Sequence, residues 1–219
     1  MMGTDWERER QGLVHKLLEW EYVKSPAVKA AFLRVPRERF IPEDLRGSAY
    51  DDAPLPIGHG QTISAPSMIA IMLEEAELKP GEHVLEIGAG CGYNAALLAD
   101  IVGQDRVVSV ERIPELAETA RANLTACGYR VEVVVGDGSM GHPPKAPYDC
   151  VIATAGAPRI PKAWKEQTTV GGRVVAPVGG SRLNQMLVTA RRLSDSKWDI
   201  REGTACAFVP LIGTEGWRA

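Results

Sequence analysis

Three short segments rich in glycine and carboxylates carry the residues of this sequence that could do chemistry. The first, "VLEIGAGCGY", has Gly88, Gly90 and Gly92 at the spacing G-x-G-x-G. Glycine permits sharp turns and lets a ligand approach the main chain closely. A dinucleotide-binding loop has the spacing G-x-G-x-x-G, and its third glycine would fall at position 93, which is Tyr93 here. The segment therefore predicts a ligand-binding turn and argues against a nicotinamide cofactor.

Carboxylates stand beside these glycines in positions that could bind a nucleoside. Glu111 ends the apolar run "RVVSVE", where doubly wound folds place the acid that binds ribose hydroxyls. Asp137 in "VVGDGSM" could accept a hydrogen bond from an amino group on a base, and Gly138 would let its amide face the ring. Glu86 lies within an apolar run, so we expect it to hold loop amides or a cationic group of the ligand. Each segment alone could be a tight turn, but three of them at successive strand ends predict a ligand site.

Alternating strands and helices must position these loops. From residue 82 onward, short runs rich in valine and isoleucine alternate with helical patterns at about 93–102 and 114–127. The seven expected strands are 83–87, 106–111, 131–135, 148–154, 172–178, 184–192 and 205–212. This order predicts an α/β fold with a doubly wound, mostly parallel seven-stranded sheet. The last two strands have no helix between them, which predicts an antiparallel edge.

The N-terminal part of the chain has a different pattern. Residues 5–34 carry apolar side chains at helical spacing, with a break before Pro26. Residues 35–62 contain four prolines, which predicts irregular chain on the surface. A further helix is expected at about 65–78.

Length and composition fit one compact unit. The 219 residues are 45% hydrophobic and 24% charged, which is typical of a globular domain. We expect residues 1–80 to form an N-terminal helical and irregular segment that contributes to the substrate site. Residues 81–219 are expected to form the cofactor-binding core.

Charge and cysteine usage exclude several function classes. The net charge of −3 provides no basis for binding nucleic acid, which usually takes a basic footprint. The four cysteines stand singly and the four histidines show no ligand spacing, so no metal site is expected. Reduced, buried thiols suggest the cytoplasm. No apolar stretch approaches the roughly 18 residues that span a bilayer, and the charged N-terminus does not resemble a signal peptide, so no membrane contact is expected.

The stretch "GQTISAPSM" poses a separate question about Ser64. Serine is favoured as a helix N-cap, and Pro66 suits the first turn of the helix that follows. Ser64 could instead contact a substrate. The local sequence leaves both interpretations open.

The segments "VLEIGAGCGY", "SVER" and "GDG" resemble the three cofactor loops of class I S-adenosylmethionine-dependent methyltransferases, which have a Rossmann-like fold. More specifically, the chain resembles the protein-L-isoaspartate O-methyltransferase family over about residues 33–217. The shared segments include "RVPRERFIP", "TISAP", "APYDCVIATAGAP", "GGRVVAPVG" and "FVPLIGTEGW". Of these, "TISAP" is the most specific to the family, whereas the glycine loop alone would indicate only the superfamily.

The resemblance implies a cofactor, S-adenosyl-L-methionine with S-adenosyl-L-homocysteine as its product, and a role for each motif residue. Ser64 matches the family's active-site serine. The implied cofactor-binding residues are Glu86, Gly88 and Gly90 at the methionine and ribose side, Glu111 at the ribose diol, and Asp137 and Gly138 at the adenine. The implied substrate-binding residues are Ile63, Ser64, Ala65, Pro66 and Ile212.

The implied function is methyl transfer to the free α-carboxylate of L-isoaspartyl residues in damaged proteins and peptides, which initiates repair through a succinimide. The implied partners are isoaspartyl peptides and proteins, and the enzyme is expected to be a monomer. This α-carboxylate is ionised at neutral pH, so the nucleophile needs no general base. Ser64 is expected to position it, without a covalent serine intermediate, since no His–Asp arrangement is evident nearby.

The chain departs from the family pattern at two positions, of which Ser67 keeps an alternative open and Cys91 is expected to change little, because the backbone does most of the binding there. Ser67 stands where many members have a histidine, and Cys91 where a serine or threonine is more usual. A methyltransferase acting on another carboxylate or on a small molecule would have the same cofactor loops. A cofactor-binding protein without catalysis is the alternative from another class, and a nicotinamide oxidoreductase is a third.

Overall fold

The computed structural model describes residues 5–181 and 184–218. The α-helices of these residues are α1 Trp6–Glu19, α2 Pro26–Arg34, α3 Pro66–Ala76, α4 Tyr93–Val102, α5 Pro114–Ala126 and α6 Lys162–Gln167. Short 3-10 helices lie at Arg37–Arg39, Glu43–Ser48, Gly138–Met140 and Pro143–Lys145.

The break in the helical pattern that was predicted before Pro26 is confirmed. Its local cause is Ser25, whose hydroxyl caps α2 by accepting a hydrogen bond from the amide of Val28 (3.3 Å).

The strands form a two-stranded sheet and a seven-stranded sheet in the described chain. Their bounds are β1 Leu55–Gly58, β2 Gln61–Ile63, β3 Val84–Ile87, β4 Val107–Glu111, β5 Glu132–Val135, β6 Tyr148–Ala153, β7 Thr168–Ser181, β8 Asn184–Arg192 and β9 Trp198–Cys206. The large sheet has the order β5-β4-β3-β6-β7-β8-β9. Strands β3 to β7 pair in parallel, whereas β8 pairs antiparallel with both β7 and β9. The predicted mostly parallel, seven-stranded sheet with an antiparallel edge is confirmed.

Both faces of the large sheet are covered. In β3, Val84 belongs to one hydrophobic cluster, and Leu85 and Ile87 belong to a second. Consecutive side chains of a strand point to opposite faces, so the two clusters are the two layers of core. Burial on both faces explains why β3 is apolar at every position except Glu86. The parallel pairing of β3 with β4 and β6 brings their carboxyl ends to one edge, where the functional loops meet.

The N-terminal segment packs tightly against the rest of the chain. Phe40 contacts Tyr93 at the start of α4 edge-on, with ring centroids 5.6 Å apart. Arg173 of β7 is buried, donates to Glu82 at 2.8 and 2.6 Å, and also donates to the carbonyl of Ala76 at the end of α3. One hydrophobic cluster includes residues from both sides of position 80.

The last predicted strand, 205–212, was wrong. Strand β9 spans Trp198–Cys206, and the chain leaves the sheet after it. The side chain of Gln185 explains this, because it accepts from the amide of Phe208 (2.9 Å) and donates to its carbonyl (3.2 Å). These bonds occupy the backbone groups that a strand ladder would use. The chain then bonds the backbone of Gly156 and reaches the edge that carries the functional loops.

Two elements were not expected from the sequence. The irregular chain predicted for 35–62 ends in a short antiparallel hairpin of β1 and β2, so that prediction was partly wrong. Helix α6 has six residues, which is too short for a helical period to be recognised.

Candidate active site

The glycine loop after β3 forms the floor of the site. Gly88 has a φ of +94°, a backbone conformation that other residues rarely adopt. A Cβ at this position would lie 2.5 Å from Oγ1 of Thr154, and that hydroxyl donates to the Gly88 carbonyl (2.7 Å). The missing side chain therefore lets the ends of β3 and β6 approach each other and leaves the loop backbone open to a ligand.

Glu111, at the end of β4, braces the glycine loop. The residue is 7% exposed, and its two carboxylate oxygens accept from the amides of Gly90 (2.9 Å) and Ile113 (3.0 Å). Each oxygen has a further lone pair available for a ligand. This arrangement suits a pair of neighbouring hydroxyl groups.

Asp137 and Gly138 follow β5 and join the site to the C-terminal segment. The carboxylate of Asp137 accepts from the amides of Ser139 (2.9 Å) and Thr214 (2.7 Å). Partial burial alone would raise the pKa of Asp137, but the hydrogen bonds from the Ser139 hydroxyl (2.6 Å) and from these amides outweigh it and hold the pKa below its usual range. The carbonyl of Gly138 accepts from the indole of Trp164 (2.8 Å). Asp137 thus fixes the C-terminal segment, while Gly138 faces the cavity beside it.

These loops line a cavity of about 590 Å³, which we call the cofactor pocket. Four of the predicted cofactor residues, Gly88, Gly90, Glu111 and Gly138, lie in its wall. Ile212, predicted on the substrate side, also lines this pocket. The pocket therefore contains glycine backbone, the carboxylate of Glu111, the cation of Arg112, a few uncharged polar side chains and apolar side chains, a combination that suits a nucleoside.

Glu86 and Asp137 do not line the cofactor pocket. Glu86 is fully buried and accepts from the side-chain amide of Asn94 (2.8 Å) and from the hydroxyl of Ser109. Burial raises the pKa of Glu86 to about 7, against the lowering effect of those two bonds. The prediction that Glu86 holds loop amides was wrong, because its partners are side chains. It anchors α4 to strands β3 and β4 behind the glycine loop, and its contact with a cofactor stays a prediction.

Ser64 follows the β1–β2 hairpin and does not cap α3. The N-cap of α3 is Ala65, and Asp52 supplies the cap from elsewhere by accepting from the amide of Ser67 (2.8 Å). The capping interpretation of Ser64 was therefore wrong. Its hydroxyl makes no hydrogen bond within residues 5–181 and 184–218, so it is available to a ligand.

Two further cavities adjoin the cofactor pocket, and Ser64 lines both. The first, which we call the inner cavity, is about 330 Å³ and lies between Ser64, Ile63 and the glycine loop. The second, which we call the outer groove, is about 590 Å³ and is lined by Ser64, Ala65 and Phe208, among others. Pro66 lines neither cavity, because it is buried at the start of α3.

Thr62 and Thr154 were assigned no role from the sequence, yet both line all three cavities. Thr154 directly follows strand β6, and its place at the carboxyl end of a parallel strand was a usable signal. Thr62 lies within the "TISAP" segment itself. Both threonines mark the junction at which a group could pass from one cavity to the next.

Within residues 5–181 and 184–218, no cluster of three or more His, Cys, Asp or Glu side chains could hold a metal ion. In the same ranges, every helix is too short or too polar to cross a membrane. Cys91, Cys127, Cys150 and Cys206 are free thiols.

Comparison with known proteins places this geometry in a family. The sequence model of the family described as protein-L-isoaspartate(D-aspartate) O-methyltransferase matches residues 8–216. A protein-L-isoaspartate O-methyltransferase of Hyperthermus butylicus is 52% identical over 225 residues, which cover 98% of this chain and 93% of the relative.

Solved structures agree with the sequence comparison. A protein-L-isoaspartate O-methyltransferase is 33% identical with a TM-score of 0.83, and the match covers 94% of this chain and 66% of that one. A Plasmodium falciparum structure in complex with S-adenosyl-L-homocysteine has a TM-score of 0.82 at 21% identity, with 96% and 99% of the two chains covered. At that identity the second match shows the fold alone.

Proposed function

This chain belongs to the protein-L-isoaspartate(D-aspartate) O-methyltransferase family, and on that premise we propose that Ser64 orients the substrate carboxylate while the three loops hold the cofactor. The enzyme transfers a methyl group from S-adenosyl-L-methionine to the free α-carboxylate of L-isoaspartyl residues in damaged proteins and peptides. Esterification initiates repair through a succinimide. The observation that supports the role of Ser64 most directly is that this residue lines both the inner cavity and the outer groove.

The residues of the cofactor pocket fit the cofactor. Gly88 leaves loop backbone exposed where a Cβ would collide with Thr154, and Glu111 presents two oxygens beside it. S-adenosylmethionine supplies a methyl group that its sulfonium charge has already activated. In the proposed arrangement Glu111 binds the ribose diol, Gly88 and Gly90 bind the ribose and methionine side, and Gly138 lies against the adenine.

Asp137 and Glu86 act differently in this proposal from the simple assignment by motif. Asp137 accepts from the amide of Thr214 and thereby closes the C-terminal segment, including Ile212, onto the pocket. Contact of Asp137 with the adenine remains part of the proposal. Glu86 supports the loop from behind through Asn94, and its own contact with the methionine end is likewise proposed.

Catalysis in this site is a matter of placement. The substrate carboxylate is already an anion, so no residue has to remove a proton. The Ser64 hydroxyl has no partner among the described residues and can donate to one carboxylate oxygen, which orients the other oxygen toward the methyl carbon. Thr62 and Thr154 stand at the junction of the cavities and limit how the two reactants can approach.

The N-terminal segment, residues 1–80, forms one wall of the substrate site in this proposal. It contributes Pro54, Thr62, Ser64, Ala65 and Met68 to the outer groove. The opposite wall comes from the chain after β9, including Phe208. An open groove between them suits an extended peptide, with Ile63 and Pro66 shaping the turn that carries Ser64.

Assembly and location are proposed as well. We propose that the enzyme acts as a monomer. The four free thiols support a reducing compartment, the cytoplasm. The net charge of −3 supports peptides and proteins, rather than nucleic acid, as partners.

The test is transfer of labelled methyl from S-adenosylmethionine to a short isoaspartyl peptide, beside its normal aspartyl twin. We expect base-labile label on the isoaspartyl peptide alone. Ser64→Ala should lower kcat by about 10- to 100-fold and leave the dissociation constant of S-adenosylhomocysteine within about twofold, because the hydroxyl serves the acceptor. A Ser64→Ala enzyme with unchanged kcat and KM would remove Ser64 from the mechanism.

A further inference from the structure

A buried arginine lies directly behind Ser64. Arg37 is 0% exposed, and its guanidinium donates to the carbonyl oxygens of Ser64 (2.9 Å) and Ala49 (2.8 Å). The guanidinium carbon is 5.0 Å from the ring centroid of Tyr93, which lines the inner cavity together with Ser64. Arg37 therefore holds the backbone of the residue whose hydroxyl is proposed to orient the substrate carboxylate.

The guanidinium of Arg37 is not directly paired with a carboxylate in the described chain, although the charge of Asp52 acts on it through space. None of the ion pairs within residues 5–181 and 184–218 includes Arg37, and its Nη1 lacks a hydrogen-bond partner there. Burial lowers the pKa of Arg37, but a guanidinium remains protonated at neutral pH. A positive charge is thus enclosed directly behind Ser64, outside the lining of the three cavities.

Such an arrangement costs folding stability. A buried cation without a directly paired counter-charge is unfavourable, and an apolar side chain of similar volume would often serve the fold better. The buried Arg173 differs in this respect because Glu82 neutralises it. The position of Arg37 is explained if the missing negative charge arrives with the substrate.

We propose that Arg37 is a positioning residue that holds Ser64 through its carbonyl oxygen and supplies the counter-charge for the substrate carboxylate. This inference rests on the proposed function, since it needs an anionic acceptor at Ser64. The two contributions affect different kinetic constants. The carboxylate loses its charge as the methyl group arrives, so the counter-charge favours the bound substrate over the transition state and acts on KM. The hold on Ser64 sets geometry and acts on kcat.

Two substitutions separate these contributions. Arg37→Lys keeps the charge but cannot reach both carbonyl oxygens with a rigid fork, so kcat should fall about tenfold or more while KM stays within about threefold. Arg37→Gln also removes the charge, so kcat should fall to a similar degree and KM should rise about tenfold or more. Arg173→Lys is the matched control. Arg173 is also a buried arginine that donates to a backbone carbonyl, but its acceptor is Ala76 and not Ser64.

Each variant is measured for kcat, for KM of the isoaspartyl peptide, for S-adenosylhomocysteine affinity and for Tm. The control should lose Tm and keep kcat and KM within about twofold. The proposal is overturned if both Arg37 variants keep kcat within twofold. It is equally overturned if kcat falls only in step with Tm or cofactor affinity, or if Arg37→Gln raises KM no more than Arg37→Lys does.

A binding measurement keeps the counter-charge testable if Arg37→Gln does not fold. The isoaspartyl peptide and its α-carboxamide twin are titrated into wild-type enzyme and Arg37→Lys, each with S-adenosylhomocysteine present. We expect both proteins to bind the carboxylate form about tenfold more tightly or better. Equal affinity for the two peptides would overturn the proposal, whereas a wild-type enzyme without turnover on the peptide would instead contradict the proposed function.

Discussion

Replacement of Gly88 by alanine should weaken cofactor binding by an amount that follows from the structure. The φ of +94° makes a side chain at this position strained by about 1–3 kcal/mol. The new Cβ would lie 2.5 Å from Oγ1 of Thr154, so that hydroxyl must move and its bond to the Gly88 carbonyl is lost. The lost bond adds about 1 kcal/mol. The two effects together come to about 2–4 kcal/mol.

The loop can relieve this strain only by moving, and the loop is the floor of the cofactor pocket. A cost of about 2–4 kcal/mol corresponds to binding that is about 30- to 1,000-fold weaker. Calorimetric titration with S-adenosylhomocysteine measures the change directly. The double variant Gly88→Ala with Thr154→Ala lacks the obstructing oxygen. Its loss of binding free energy should therefore be about 1 kcal/mol smaller than the sum of the losses in the two single variants.

Gly81→Ala is the matched control for this prediction. Gly81 has a φ of +87°, a Cβ there would meet nothing within 4 Å, and the residue lines none of the three cavities. The control should lower the free energy of unfolding and leave cofactor affinity unchanged. If Gly88→Ala bound S-adenosylhomocysteine within twofold of wild type, or if the control lost affinity equally, the reasoning from close approach at Gly88 would be refuted.

Two carboxylates provide further predictions, both checked by urea denaturation across a range of pH. Glu82→Gln should lower the free energy of unfolding at neutral pH by about 2–4 kcal/mol, because Arg173 stays buried and keeps only its backbone acceptors. Burial raises the pKa of Glu82, but the bonds from Arg173 and Lys79 outweigh it and leave the pKa below 4.5. The stabilisation by Glu82 is therefore present above its unfolded pKa and disappears as the pH falls through the lower folded pKa. A constant difference in unfolding free energy between wild type and Glu82→Gln down to acid pH would contradict this prediction. For Glu86 the pH dependence has the opposite sign, because burial raises its pKa from 4.5 to about 7. The free energy of unfolding of the wild type should therefore fall as the pH rises through that interval. Glu86→Gln should remove most of this fall. Parallel pH profiles for wild type and Glu86→Gln would show that Glu86 does not titrate in this interval.

Much of the fold and part of the site could be predicted from short-range pattern. The strands around β3, β4 and β6 are apolar runs because both faces of the sheet are covered, and such runs are visible without knowledge of the partners. Parallel strands bring their carboxyl ends to one edge, so the glycine loop, Glu111 and Gly138 had to meet. The segment "TISAP" indicated the acceptor side only through its resemblance to the family.

The functions that depended on distant partners were decided only by tertiary structure. Ser64 had the sequence of an N-cap, but Asp52, fifteen positions from the amide that it caps, supplies that bond and leaves the serine hydroxyl to the cavities. Gln185 takes the backbone groups of Phe208 and so turns a predicted strand into a wall of the outer groove. Arg37 is one of many arginines in the sequence, and nothing local marks it as the buried cation behind Ser64. Periodicity and motif spacing depend on neighbours along the chain, whereas burial, hydrogen-bond partners and charge balance depend on residues that only folding brings together.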